Sequence, residues 1–221
     1  MEIKGAIFDL DGTLLDSMWV WNQVDIDFLG KRGFDVPPDY PKAIAAMGFH
    51  ETAEYTIKRF GLNEMVEDVI AEWDRMAAQM YHERVKIKPD VTEVLEQMKR
   101  QGIHLGIATA SYRTLFEPCL RRNGVFEYFE AVTETSEVAR GKGFPDIYIK
   151  EAEKMNCRPE QCLVFEDITK GIEAAKSGGF QTVAVYDPAA QAEWEENKAK
   201  ADFHIENFKE LLEPSSFLNR L

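Results

Sequence analysis

The stretch IKGAIFDLDGT, residues 3–13, carries both the first strand and the first candidate site residues. Ile3–Phe8 is a short apolar run with β-branched residues, which predicts a strand, and it stops at Asp9. Asp9 and Asp11 follow at i and i+2, so a chain leaving in extended form carries both carboxylates on one side. Gly12 permits a sharp turn behind them. In an open parallel sheet, ligands bind beyond the carboxyl ends of the strands. An apolar strand that ends on paired acids therefore marks a candidate site as well as a fold.

Outward from that strand the pattern turns helical. Met18, Trp21, Val24 and Phe28 form one stripe over residues 17–31, with Trp21 expected in the core. After the breaker Val36-Pro37-Pro38, helices are predicted over 42–46, 51–60 and 64–81. Past Lys88-Pro89 the chain alternates. Helix 91–101 leads to strand 103–108, helix 113–122 to strand 131–133, and helix 146–155 to strand 162–165. Helix 171–177 then leads to strand 182–185, and strand 203–205 to a last helix. The charge-dense run Glu193–Lys200 reads as a solvated helix or loop over the core. Alternation of this kind implies a parallel sheet covered on both faces. The expected fold is α/β, a Rossmann-like parallel-sheet core (residues 1–16 and 86–221) with an inserted all-helical domain (17–85). The crossings at 14–17 and 81–89 are expected to act as hinges.

Composition narrows the function. The chain has 221 residues, 45% hydrophobic and 29% charged, which is globular composition and excludes a disordered or fibrous chain. Acids outnumber bases 39 to 26 for a net charge of -13, a field that repels nucleic acid and anionic lipid. No apolar run approaches the ~20 residues that span a bilayer. The amino terminus lacks the pattern of a secretory signal, so a cytoplasmic protein is expected, as a monomer or small homo-oligomer. Cys119, Cys157 and Cys162 are an odd count without disulfide-framework spacing and read as free thiols.

The residues just after each predicted strand carry the chemistry. After the first come Asp9, Asp11 and Thr13; after the second, Thr109, Ala110 and Ser111. Lys142 precedes the helix at 146, and Glu166 and Asp167 follow the strand at 162. Such a group of acids repels itself unless a cation compensates, and hard oxygen ligands describe a magnesium site shared with a substrate phosphate. Lys142 and Thr109 supply the donors that phosphate oxygens need. Ser111 reads equally as a site residue or a helix cap. No Walker-type loop and no Gly-x-Gly-x-x-Gly follows a strand, so nucleotide-triphosphate and dinucleotide sites are poorly supported. Each residue alone has a plainer reading, as turn, cap or surface lysine. Their joint placement on one rim is what favours a site.

In order along the whole chain, these residues resemble the four motifs of the haloacid dehalogenase superfamily: Asp9-Leu-Asp-Gly-Thr, Thr109, Lys142 and Glu166-Asp167. The helical insertion is similar to the cap domain of the β-phosphoglucomutase-like branch, where the cap selects the substrate. The resemblance implies Asp9 as the nucleophile that becomes an aspartyl phosphate, and Asp11 as general acid and then base. It implies Mg2+ held by Asp9, Asp167, the backbone carbonyl of Asp11 and Glu166. Thr109, Lys142 and the backbone amides of Leu10 and Ala110 would hold the phosphate.

Two departures bear on function. Where mutases of this branch carry a cap histidine, Trp21 stands; where they carry a cap arginine for a distal phosphate, the stretch reads Gly48-Phe49-His50-Glu51. In addition, Gly143 rather than proline follows Lys142. The sequence therefore favours a Mg2+-dependent phosphatase of a small phosphorylated metabolite over a sugar phosphomutase. A catalytically silent binding module is disfavoured because Asp9, Asp11 and Asp167 are all present. Trp19, His50 and Glu51 are the candidate substrate-pocket residues of the cap, with Ser111 on the core.

Overall fold

The computed structural model describes residues 2–44 and 47–220. The chain divides into two compact units, Met1–Ser17 with Val85–Leu221, and Met18–Arg84.

The first unit is built on six parallel strands: β1 (Gly5–Phe8), β4 (His104–Thr109), β5 (Ala131–Glu134), β6 (Cys162–Glu166), β7 (Gln181–Val185) and β8 (Phe203–Ile205). They lie in the order β5-β4-β1-β6-β7-β8. Numbered among themselves the strands run 3-2-1-4-5-6, the doubly wound order, whose direction of winding reverses between β1 and β6. All four residues of β1 and all five of β6 are buried, as strands covered on both faces must be. Register places Phe8 level with Ile107 and Phe165, so the residues that follow β1 and β6 emerge side by side.

The helices α5 (Val91–Arg100), α6 (Arg113–Arg122), α7 (Asp146–Lys154), α8 (Thr169–Ser177), α9 (Trp194–Lys200) and α10 (Lys209–Leu212) accompany the sheet. Ile147, Tyr148 and Ala152 of α7 join Ile7, Ala108 and Val164 of the strands in one buried cluster. The run at 193–200 is not simply solvated: Trp194 and Asn197 are buried.

The crossings carry two short strands that the sequence reading does not include. Leu15–Asp16 (β2) and Lys86–Ile87 (β3) pair antiparallel as a small ribbon, and the Lys88 amide donates to the Leu14 carbonyl at 2.8 Å. The segments expected to be hinges are thus hydrogen-bonded to each other. Two-residue strands are too short to show an alternating pattern.

The second unit holds α1 (Val20–Gly30), α2 (Tyr40–Ile44), α3 (Phe49–Phe60) and α4 (Val66–Glu83). Val24 and Phe28 of the predicted stripe are buried, whereas Met18 (43%) and Trp21 (40%) are exposed, so Trp21 is not core. Its core is instead completed by Trp73, whose ring meets Phe28 edge-on at 5.4 Å between centroids. Arg32 ties α1 to Glu64 and to Glu72 of α4 while lying over the Phe28 ring. Ala45 and Ala46, the end of the predicted helix 42–46, lie outside the described residues. Among the described residues no helix is long and apolar enough to cross a membrane.

One buried acid of the core gives a test of stability. Glu151 is fully buried; its Oε1 accepts from the Ile107 amide (3.1 Å) and its Oε2 from Thr133 Oγ1 (2.6 Å). Gly106 makes room for it, since a Cβ there would fall 2.3 Å from Oε1. Burial pushes this carboxyl up from 4.5 to about 7. Between those values the folded chain keeps a proton that the unfolded chain has released. Stability should therefore fall by ~3 kcal/mol as pH rises through that window, and level off above it. Glu151→Gln should be more stable than the wild type at pH 8 and should lose the slope, read by urea unfolding at pH 5 and 8. A variant less stable at pH 8 would mean that the ionised carboxylate is the better acceptor there.

Candidate active site

The site lies where the winding reverses. Asp9 leaves the end of β1 with its amide bonded to the Phe165 carbonyl of β6 (3.1 Å), and it is only 6% exposed. The chain then folds back on itself, with the Thr13 and Leu15 amides both donating to the Leu10 carbonyl (3.2 and 2.8 Å). Gly12, at φ +84°, supplies the left-handed residue this turn needs. The chain beyond Asp9 is thus a turn rather than a continuation of the strand. Asp9 faces the carboxylates of β6, while Asp11 Oδ1 accepts from the hydroxyl of buried Ser17 at 2.6 Å.

One carboxylate oxygen from each of Asp9, Glu166 and Asp167 lies within 4.8 Å of the others, and all three residues are buried. Lys142, from the loop ahead of α7, pairs with Asp9 Oδ1 and with Glu166 Oε1 (2.7 Å). One ammonium thus faces three carboxylates. Burial, then the charges of Asp9 and Glu166, hold the Asp167 carboxyl above the usual carboxylate range. Burial also raises Glu166, against the opposing pull of Lys142. For Lys142, burial alone would favour the neutral amine, but Asp9 and Glu166 outweigh it and keep the ammonium.

The donor set fits a hard divalent cation. Glu166 Oε1 accepts from Tyr148 Oη (2.7 Å) and from Lys142, but its buried Oε2 has no hydrogen-bond partner among the described residues. A buried unsatisfied carboxylate oxygen is costly, and a cation shared with Asp9 and Asp167 would satisfy it.

Thr109 is the last residue of β4 and fully buried; its Oγ1 accepts from the Ser111 amide (3.0 Å). Ala110 is exposed beside it. The space over Gly143 is taken by the side chain of Lys170, whose Cε would lie 2.2 Å from any Cβ at that position.

Several contributors escape sequence reasoning. Tyr148 holds Glu166 and Ser17 holds Asp11, while Thr13, which the sequence does place at the end of the first strand, donates from Oγ1 to Asp167 Oδ1 (3.2 Å). Asn197, from the run read as solvated, donates to the Asp167 carbonyl (2.7 Å) and accepts from Thr169 Oγ1 (2.6 Å). Spacing in sequence carries no signal for such partners.

The second unit has its own cleft of about 440 Å³ between α1, α3 and α4. Trp21, Asp25, Phe49 and Trp73 are among its lining residues, and none of those described is a cation. Burial pushes Asp25 up to about 6, and among the described residues the buried Trp73 Nε1 has no hydrogen-bond partner. The expected pocket residues do not line this cleft. Trp19 lies under the Arg84 guanidinium (4.8 Å), exposed His50 pairs with Glu54 (3.5 Å), and Glu51 is exposed.

Residues 6–185 match the family described as haloacid dehalogenase-like hydrolase. This chain belongs to that family. Among its relatives, hexitol phosphatase B of Escherichia coli (strain K12) is 27% identical over 95% of each chain. A phosphorylated carbohydrates phosphatase of Thermotoga maritima is 28% identical over 82% of this chain and 84% of its own. A crystal structure from Thermotoga maritima, provisionally named β-phosphoglucomutase, superposes with a TM-score of 0.80 at 27% identity, covering 92% of this chain and 94% of that one. The hydrolase falls in the β-phosphoglucomutase-like branch.

Proposed function

We propose that this hydrolase is a Mg2+-dependent phosphatase that cleaves a small phosphorylated metabolite through Asp9. The observation that carries the reading is Asp9 itself: a buried carboxylate at the sheet's carboxyl edge, paired with Lys142 and grouped with Glu166 and Asp167. Asp9 attacks phosphorus as the bond to the leaving oxygen breaks, and Asp11 gives that oxygen its proton. Water then attacks phosphorus, losing its proton to Asp11, as the bond to Asp9 breaks. Lys142, with Thr109 and the amides of Leu10 and Ala110, holds the transferring oxygens. Mg2+ would be held by Asp9, Asp167, the Asp11 carbonyl and Glu166, directly or through water, where it offsets the charge of phosphate and carboxylates. Hydrolysis of an aryl phosphate should therefore stop in excess chelator and return with Mg2+. Full activity in chelator would overturn the metal assignment.

The relatives' names favour a phosphorylated carbohydrate or polyol as substrate. The branch also contains mutases, and the choice rests on what holds a second phosphate. Among the described residues no cation lines the cleft of the second unit. Supplied with β-glucose 1-phosphate, Mg2+ and a trace of glucose 1,6-bisphosphate, the enzyme should release inorganic phosphate. Glucose 6-phosphate forming much faster than phosphate would make it a mutase.

A further inference from the structure

Lys88 is the first residue after β3, on the strand that returns from the second unit, and its side chain is only 14% exposed. An ammonium has three N–H donors, and here three acceptors meet it. They are the Gly12 carbonyl, the Tyr186 carbonyl (2.8 Å) and Asp187 Oδ2 (3.0 Å). Asp187 is 5% exposed, and its Oδ1 also accepts from the Ala189 amide (2.9 Å). The Lys88 backbone amide is bonded to Leu14. One residue therefore joins the turn after β1, the β2–β3 ribbon and the exit of β7.

The three bonds do different things. The pair with Asp187 balances a buried charge, which any structural lysine could do. The bond to Gly12 restrains the backbone of the residue next to Asp11, in a turn that depends on one left-handed glycine. Asp11 has its own side-chain bond to Ser17, so its carboxyl is held directly by Ser17 while Lys88 restrains the turn one residue further on, at the Gly12 carbonyl. Proton transfer in the transition state demands placement of the acid to within about 0.5 Å.

We propose that Lys88 is a positioning residue for Asp11, holding the Gly12–Thr13 peptide, and with it the turn that carries Asp11, so that the carboxyl meets the leaving oxygen. This rests on the reading of Asp11 as general acid and base. It predicts a loss that is larger for substrates whose leaving group needs a proton, which a merely structural lysine would not give.

The test uses the full chain and two substrates, phenyl phosphate and 4-nitrophenyl phosphate, whose leaving groups differ in basicity. In K88M/D187N both buried charges go together, so neither is stranded. Its kcat for phenyl phosphate should fall roughly 10- to 100-fold, with a much smaller loss for 4-nitrophenyl phosphate and little change in KM. D187N alone, which leaves Lys88 on both carbonyls, should keep near wild-type kcat with both. K88Q/D187N serves in the same assay if the methionine variant does not fold. Equal losses on the two substrates, or wild-type kcat on both, would make Lys88 structural only and overturn the proposal. If Asp11→Asn itself shows no leaving-group dependence, it is the role of Asp11 that fails, and the two failures are told apart.

Discussion

Asp9→Asn should reduce kcat by at least ~10⁴-fold, the scale on which loss of a covalent nucleophile is felt. The amide is nearly isosteric, so the fold should survive: Asp9 is buried at the end of β1, and its backbone bond to Phe165 does not involve the side chain. Lys142 keeps Glu166 as a partner in the variant, so no cation is stranded. The substitution also removes one of three mutually repelling carboxylates. Stability should hold or rise while chemistry stops. Phosphate release from an aryl phosphate, with a thermal melt alongside, checks both. Activity within ~10²-fold of wild type would place the nucleophile elsewhere.

Asp11→Asn should slow turnover by ~10²-fold or more with a basic leaving group, the usual scale of general acid–base catalysis. The side-chain amide keeps a carbonyl oxygen that can still accept from Ser17, so the turn should hold its shape, and phosphate binding should change little. The loss should shrink for 4-nitrophenolate, which leaves without a proton. Any remainder measures the other half of the role, deprotonation of water. Equal losses across leaving groups would assign Asp11 to structure.

What the sequence makes legible here follows from the physics of parallel sheets. Strands buried on both faces are apolar until they end, so the first acid after each run marks the rim, and Asp9, Glu166 and Asp167 stand out for that reason. The strand order of the sheet then brings them together, because β1 and β6 are neighbours there. Lys142 has no periodicity to announce it and is found only through the family resemblance and the residues it must neutralise.

The rest depends on three-dimensional neighbours that leave no local trace. Tyr148 is one apolar-stripe residue of α7 until its hydroxyl is seen on Glu166. Asn197 hides in a charged run, and its burial depends on how α9 packs on α8 and β8. Trp21 fits the helical stripe, yet α1 turns that end of the stripe outward and its ring meets Phe49 edge-on. The turn that begins at Leu10, with its two amides on one carbonyl, likewise has no pattern in the sequence beyond Gly12.

The central claim is that phosphate passes through Asp9, and trapping that species tests it most directly. The enzyme is mixed with Mg2+ and an aryl phosphate, quenched during turnover and treated with borohydride, which reduces an acyl phosphate to the alcohol. Peptide mass spectrometry should then find homoserine at position 9, only when substrate was present and not in Asp9→Asn. Homoserine at another aspartate, or none from an enzyme quenched in full turnover, would contradict the account.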